Sequence, residues 1–123
     1  MRNIKNITKK ETRAITEYEK LLLKKFPKRF KRLILFGSKA RGDSNPKTSD
    51  IDLLVVVNRN GKRTRQEIVA LTHEPIVHFG VDLSPIVVEE DFFNKWSPLL
   101  AHIKKEGITL WKSSSKRNMS VCV

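Results

Sequence analysis

Apolar residues at Ala14, Ile15, Tyr18, Leu21, Leu22 and Phe26 recur every three or four positions, the spacing of one helix face, while Lys and Arg fill the positions between them. Thr8, Lys9, Lys10 and Glu11 spell a capping box at the head of this stretch, and Pro27 closes it, so the pattern predicts a helix over about residues 9–25. Lys28 to Lys31 reads as a basic connector. Leu33 to Phe36 is a continuous apolar run ended by Gly37, the mark of a strand covered on both faces. Ser38 to Arg41 has room for one helical turn, and residues 42–49 are nearly all turn formers.

A second strand is predicted from Asp50 to Val57. Thr64 to Glu67 forms another capping box opening a helix through Ile68 and Leu71, which Pro75 should kink or end. Val81 to Val88 reads as a third strand. Pro85 within it cannot donate to a ladder, which places that strand at an edge or a bulge. Glu89 to Lys95 predicts a short helix. Ser97 followed by Pro98 opens another, running to about Lys105 and ended by Gly107, and Ile108 to Trp111 suits a small final strand. Residues 113–123 are polar and short, the composition of a flexible tail.

Composition narrows the function classes. The chain has 123 residues, 39% hydrophobic and 31% charged, enough for one compact core. No stretch approaches the ~20 apolar residues of a membrane span, and Met1 to Lys10 lacks the apolar core of a signal peptide, so a soluble cytoplasmic protein is expected. Cys122 is the lone cysteine, which excludes an intramolecular disulfide and a cysteine-based zinc cage. The net charge of +12 is concentrated: residues 1–32 carry 12 Lys and Arg against 3 Asp and Glu. Such a segment suits either nucleic-acid phosphates or a solvated helix face.

The candidate chemistry lies between Leu33 and Val57. Asp50 and Asp52 head an otherwise apolar strand, and residues two apart point to the same face with Cα atoms roughly 6.6 Å apart. Two like charges at the edge of a core resist burial unless a cation lies between them. Oxygen ligands without His or Cys favour Mg²⁺, with Mn²⁺ as the alternative ion. Gly37 and Ser38 leave the preceding strand where a glycine allows close backbone approach to a ligand, and Lys39 and Arg41 are cations within reach of phosphates. Gly37 to Gly42 has the spacing of a P-loop, but Asp43 occupies the place of its essential lysine, which excludes a Walker ATPase. Asp82, at the head of the third strand, is a third carboxylate able to join a metal site or to accept a proton. His73, His78 and His102 lack zinc-ligand spacing, and Trp96 and Trp111 read as core or interface anchors.

At Gly37-Ser38, Ala40-Arg41-Gly42 and Ser49-Asp50-Ile51-Asp52-Leu53 the chain resembles the minimal nucleotidyltransferase (MNT) group of the polymerase-β-like nucleotidyltransferases, and Lys105-Glu106-Gly107-Ile108 with Leu110-Trp111 resembles the end of that domain. One more residue than usual in the group separates Ser38 from Asp50, an insertion a loop absorbs. The resemblance implies an α/β (α+β) fold, a small mixed β-sheet flanked by helices. It divides the chain into a basic N-terminal helix (1–29) packed on the domain, a nucleotidyltransferase domain (30–112) and a tail (113–123).

The activity implied is Mg²⁺-dependent transfer of a nucleoside monophosphate from an NTP, with ATP expected, to an acceptor hydroxyl. Gly37 and Ser38 would hold the triphosphate, Lys39 and Arg41 would meet phosphates, and Asp50 and Asp52 would bind two metal ions. Asp82 would bind a metal or act as base. So small a domain has little left for an acceptor pocket, so a second chain is expected. The resemblance points to an antitoxin of a toxin-antitoxin pair whose partner is an all-helical HEPN ribonuclease toxin. Other readings are an antibiotic nucleotidyltransferase and a non-catalytic nucleic-acid-binding module working through the basic helix. A second copy of this chain is a further candidate partner.

Overall fold

The computed structural model describes residues 7–41, 50–58 and 61–113. The predicted turn-rich loop at 42–49 and the tail from 114 onward lie outside the described residues. Four strands form one mixed sheet in the order β3-β2-β1-β4. These are β1 (Phe30–Phe36), β2 (Ile51–Val57), β3 (Leu83–Glu89) and β4 (Ile108–Lys112). β1 is antiparallel to both β2 and β4, and β2 is parallel to β3. Pro85 lies in β3, an edge strand, where its missing N–H leaves no ladder bond unmade. β1 begins at Phe30, earlier than the apolar run alone predicts, because Lys31 and Arg32 alternate on the strand while Phe30 pairs with Val57.

Helix α1 (Lys9–Lys25) has its predicted bounds and capping box, with the Glu11 amide donating to Thr8 Oγ1 at 3.1 Å. Its Ala14, Ile15, Tyr18 and Leu22 are fully buried with Leu33, Leu35, Ile51, Leu53, Val55 and Ile68 on one face of the sheet. Each fully buried side chain of this kind stabilises by roughly 1.5–3 kcal/mol, which outweighs any exposed charge on the helix. The opposite face is covered by α5 (Glu90–Asn94) and α6 (Pro98–Glu106), whose Phe93, Leu100 and Ile103 pack on Ile34, Leu54 and Val56. Ser97 caps α6 by accepting from the Leu100 amide at 3.1 Å. At Gly107 a Cβ would meet Ile103 O at 2.5 Å and Ile34 Cγ2 at 2.7 Å, so a side chain there would push α6 away from the sheet.

Two local expectations are corrected. The helix expected to open on the Thr64–Glu67 box instead begins at Lys62, as α3 (Lys62–Ala70), with Gly61 as N-cap and no side-chain cap bond. Thr64 is buried, and its hydroxyl accepts from Arg29 Nη1 at 2.8 Å. Pro75 does not end that helix; it lies in the first turn of a separate α4 (His73–Phe79), where a missing N–H costs nothing. Trp111 stacks on Phe30 with ring centroids 4.5 Å apart, as a core anchor should, but Trp96 is 79% exposed and belongs to no core.

Tyr18 supplies a tie between layers, since its buried hydroxyl donates to Ile68 O at 2.8 Å, a carbonyl in the last turn of α3. Burial pushes the Tyr18 phenol up from its ordinary value of 10.0. A group held protonated in the folded state supports stability below its unfolded pKa and withdraws that support as pH rises past it. Tyr18→Phe is therefore expected to lower stability by about 1–3 kcal/mol at pH 7 in urea denaturation. The variant should also lose less stability than the parent between pH 9 and pH 11.

Candidate active site

The antiparallel register sets Phe36 of β1 opposite Asp52 of β2, and the parallel register sets Ser84 of β3 on the other side of Asp52. Gly37, next along the chain, turns away with φ +77°, in the left-handed region that side chains resist. A Cβ on Gly37 would collide with Asp52 Oδ2 and come within 3.2 Å of its Cγ. Both backbone angle and contact demand glycine, and together they lodge a half-buried carboxylate against the exit of β1.

Asp50 is exposed and lies one residue ahead of β2. Asp82, also exposed, lies one residue ahead of β3, and its carbonyl accepts from the Ile51 amide at 3.0 Å. That bond continues the parallel register, so Asp82 comes opposite Asp50 at the same end of the sheet. By strand alternation Asp50 and Asp52 belong to the face of Leu54 and Val56, which α5 and α6 cover. The structure thus gathers Gly37, Asp50, Asp52 and Asp82 at one sheet end. It does not draw three carboxylates into a ready metal cage: among the described residues no group of three or more His, Cys, Asp or Glu could hold an ion. The donor set, carboxylate oxygen beside glycine backbone with no sulfur or imidazole, still suits a hard divalent cation.

Lys39 has another partner than the phosphates expected of it. In α2 (Ser38–Arg41) its side chain has no exposure, and its Nζ lies 2.9 Å from Glu11 Oε2. Glu11 was legible in sequence only as the second half of a capping box, and the signal of its wider role, a carboxylate on the buried side of α1, needs the packing to be seen. The side chains of Ser38 and Arg41 lie outside the described residues. The three histidines make no metal site; His78 Nδ1 lies 3.0 Å from Glu17 Oε2, and that contact holds its pKa above the usual imidazole value, while His102 Nε2 is 3.2 Å from Glu106 Oε1.

A family profile described as a nucleotidyltransferase domain matches residues 15–110. The chain belongs to the nucleotidyltransferase family. This nucleotidyltransferase is 36% identical over 104 residues to a protein of Methanocaldococcus jannaschii described as a protein adenylyltransferase, covering 82% of this chain and 98% of the relative. It shares its fold with a nucleotidyltransferase of Sulfolobus solfataricus, with a TM-score of 0.59 at 24% identity over 93% of this chain and 94% of the other. It also matches a chain in the complex of a tri-AMPylated Shewanella oneidensis HEPN toxin with its MNT antitoxin, with a TM-score of 0.54 at 19% identity over 88% of this chain and 77% of that one. The family, the mixed sheet and its flanking helices agree with the resemblance drawn from Gly37-Ser38 and Asp50 to Asp52.

Because Gly37 and Asp52 share one space, their substitutions should not be additive. Gly37→Ala is expected to cost about 1–3 kcal/mol of stability. In an Asp52→Ala background the cost should shrink toward that of the positive φ alone, which a double-mutant cycle in urea would show.

Proposed function

We propose that this protein transfers AMP from ATP to a hydroxyl of a partner protein, with Mg²⁺, and that it acts in the cytoplasm as the antitoxin of a HEPN-type toxin. The observation that carries the reading is the half-buried Asp52 carboxylate seated on Gly37, with Asp50 and Asp82 at the same sheet end. The curated relative's description as a protein adenylyltransferase supports the activity, and the AMPylated toxin in the Shewanella complex supports the class of acceptor.

Asp50 and Asp52 would hold the divalent cation, which supplies neutralisation of phosphate oxygens around the reacting phosphorus. Gly37 brings backbone rather than side chain to the nucleotide side of Asp52, and Ser38 follows it into α2 as the second triphosphate contact. The acceptor oxygen bonds to the α-phosphorus, the bond to the β-phosphate oxygen breaks, and pyrophosphate leaves. The hydroxyl proton must go to a base, and Asp82, exposed and in register with Asp50, would either take it or add an oxygen to the metal set.

The outer surface favours a protein acceptor over a small molecule. Phe92 of α5, Trp96 of the α5–α6 connection and Leu99 of α6 are exposed by 49%, 79% and 55%, within eight residues of one another along the segment that covers the Asp50–Asp52 face. Exposed apolar side chains gathered in this way mark protein-binding surface.

Incubating the protein with Mg²⁺, ATP and a HEPN-type helical protein from the same organism should add AMP to a hydroxyl of that protein, read by intact-mass and peptide spectrometry. No modification, under conditions where ATP demonstrably binds, would sink this reading. Asp52→Ala and Asp50→Ala should each lower the rate by at least about 10²-fold while the fold persists. Trp96→Ala should weaken capture of the acceptor and leave ATP affinity unchanged, as checked by titration of each ligand separately.

A further inference from the structure

We propose that Glu11 is a positioning residue for nucleotide binding: through the buried ammonium of Lys39 its carboxylate holds α2 and the Gly37-Ser38 backbone in place against Asp52. The inference rests on the nucleotidyltransferase reading of that site and adds a residue outside the span matched by the family profile, which begins at residue 15. Glu11 is 5% exposed and Lys39 is fully buried, with 2.9 Å between Oε2 and Nζ. The other carboxylate oxygen is also engaged, accepting from the Thr8 amide at 2.9 Å. The carboxylate is therefore fixed from two directions, by the start of α1 and by α2.

Stability alone is a poor reason for such a pair. Removing two charges from water is costly, and apolar residues of similar volume usually do as well or better in a core. What a buried ion pair with fixed geometry supplies is orientation. α2 needs an outside source of it, because a helix of four residues cannot pay for its own nucleation. Its Ala40 amide bonds back to Gly37 O at 3.1 Å, so a shift of α2 moves the Gly37 peptide directly. Gly37 in turn has no slack toward Asp52, since even a methyl group would collide with that carboxylate. The chain of contact runs from the Thr8 backbone amide through the Glu11 carboxylate and Lys39 to α2 and the glycine that borders Asp52.

The test separates positioning from general support of α1. A fluorescent ATP analogue with Mg²⁺ is titrated into the full chain, and melting temperature is measured on the same samples. Glu11→Gln, which keeps the shape and removes the charge, should raise the nucleotide Kd tenfold or more at a temperature where it remains folded. Thr8→Ala removes the cap hydroxyl at the same helix end without touching the ion pair; it should lower the melting temperature and leave Kd within twofold. If Glu11→Gln does not fold, Glu11→Asp, shorter by one methylene with its charge kept, should raise Kd several-fold. Kd within twofold of the parent in the folded Glu11 variant, or an equal loss in Thr8→Ala, would overturn the proposal and leave the nucleotidyltransferase reading standing. A parent protein that binds no nucleotide would remove both.

Discussion

The contact between Gly37 and the Asp52 carboxylate depends on one register. β1 and β2 run antiparallel with Phe36 opposite Asp52, so the residue that leaves β1 must turn directly over that carboxylate. Sliding β2 by one residue would exchange its two faces, burying Asp52 among Leu33, Leu35 and Ile15 and exposing Leu53. Both faces of β2 are apolar and covered beyond Asp52, so the cost of such a slip falls on the carboxylate it would carry into the core. The hydrophobic layers that stabilise the sheet are therefore what aims the acidic pair.

Two sets of helices divide the work. α1, α3 and α4 lie on the face of Ile51, Leu53 and Val55, where Tyr18 ties α1 to α3 and His78 meets Glu17 of α1. α5 and α6 cover Leu54 and Val56 on the opposite face, while at the strand heads Asp50 and Asp82 are exposed and Asp52 is half-buried. A site built in this way has its rigidity in the sheet and its openness at the sheet end. That arrangement suits chemistry in which a protein mainly positions charged oxygens.

The basic N-terminal segment reads differently once packed. Its apolar stripe is core, and Lys9, Lys10, Lys20, Lys24 and Lys25 are exposed, so the charge carried by α1 itself lies on its solvated face. Glu11 is the exception that matters, a carboxylate on the inner side whose partner comes from α2. The family profile's match begins beyond it, at residue 15, so the tie joins the helix end to the nucleotide-side turn from outside the matched span.

Much of the protein was legible from residue order, because it depends on short-range rules. Periodicity and the Thr8 capping box set α1; Ser97, Pro98 and Gly107 set α6; the apolar runs marked β1, β2 and β3; and alternation alone put Asp50 and Asp52 on one face. What was out of reach depends on which segments meet. Thr64 and Glu67 have the spacing of a cap, but Arg29 reaches Thr64 from another element, and Pro75 falls at a helix start because the chain breaks at Leu71 and Thr72. Lys39 beside Ser38 has the chemistry of a phosphate ligand, and only the packing of α1 on α2 brings Glu11 to it. Local patterns report the chain's own geometry, whereas the partner of a charge is chosen by folding, through distances that no spacing along the chain encodes.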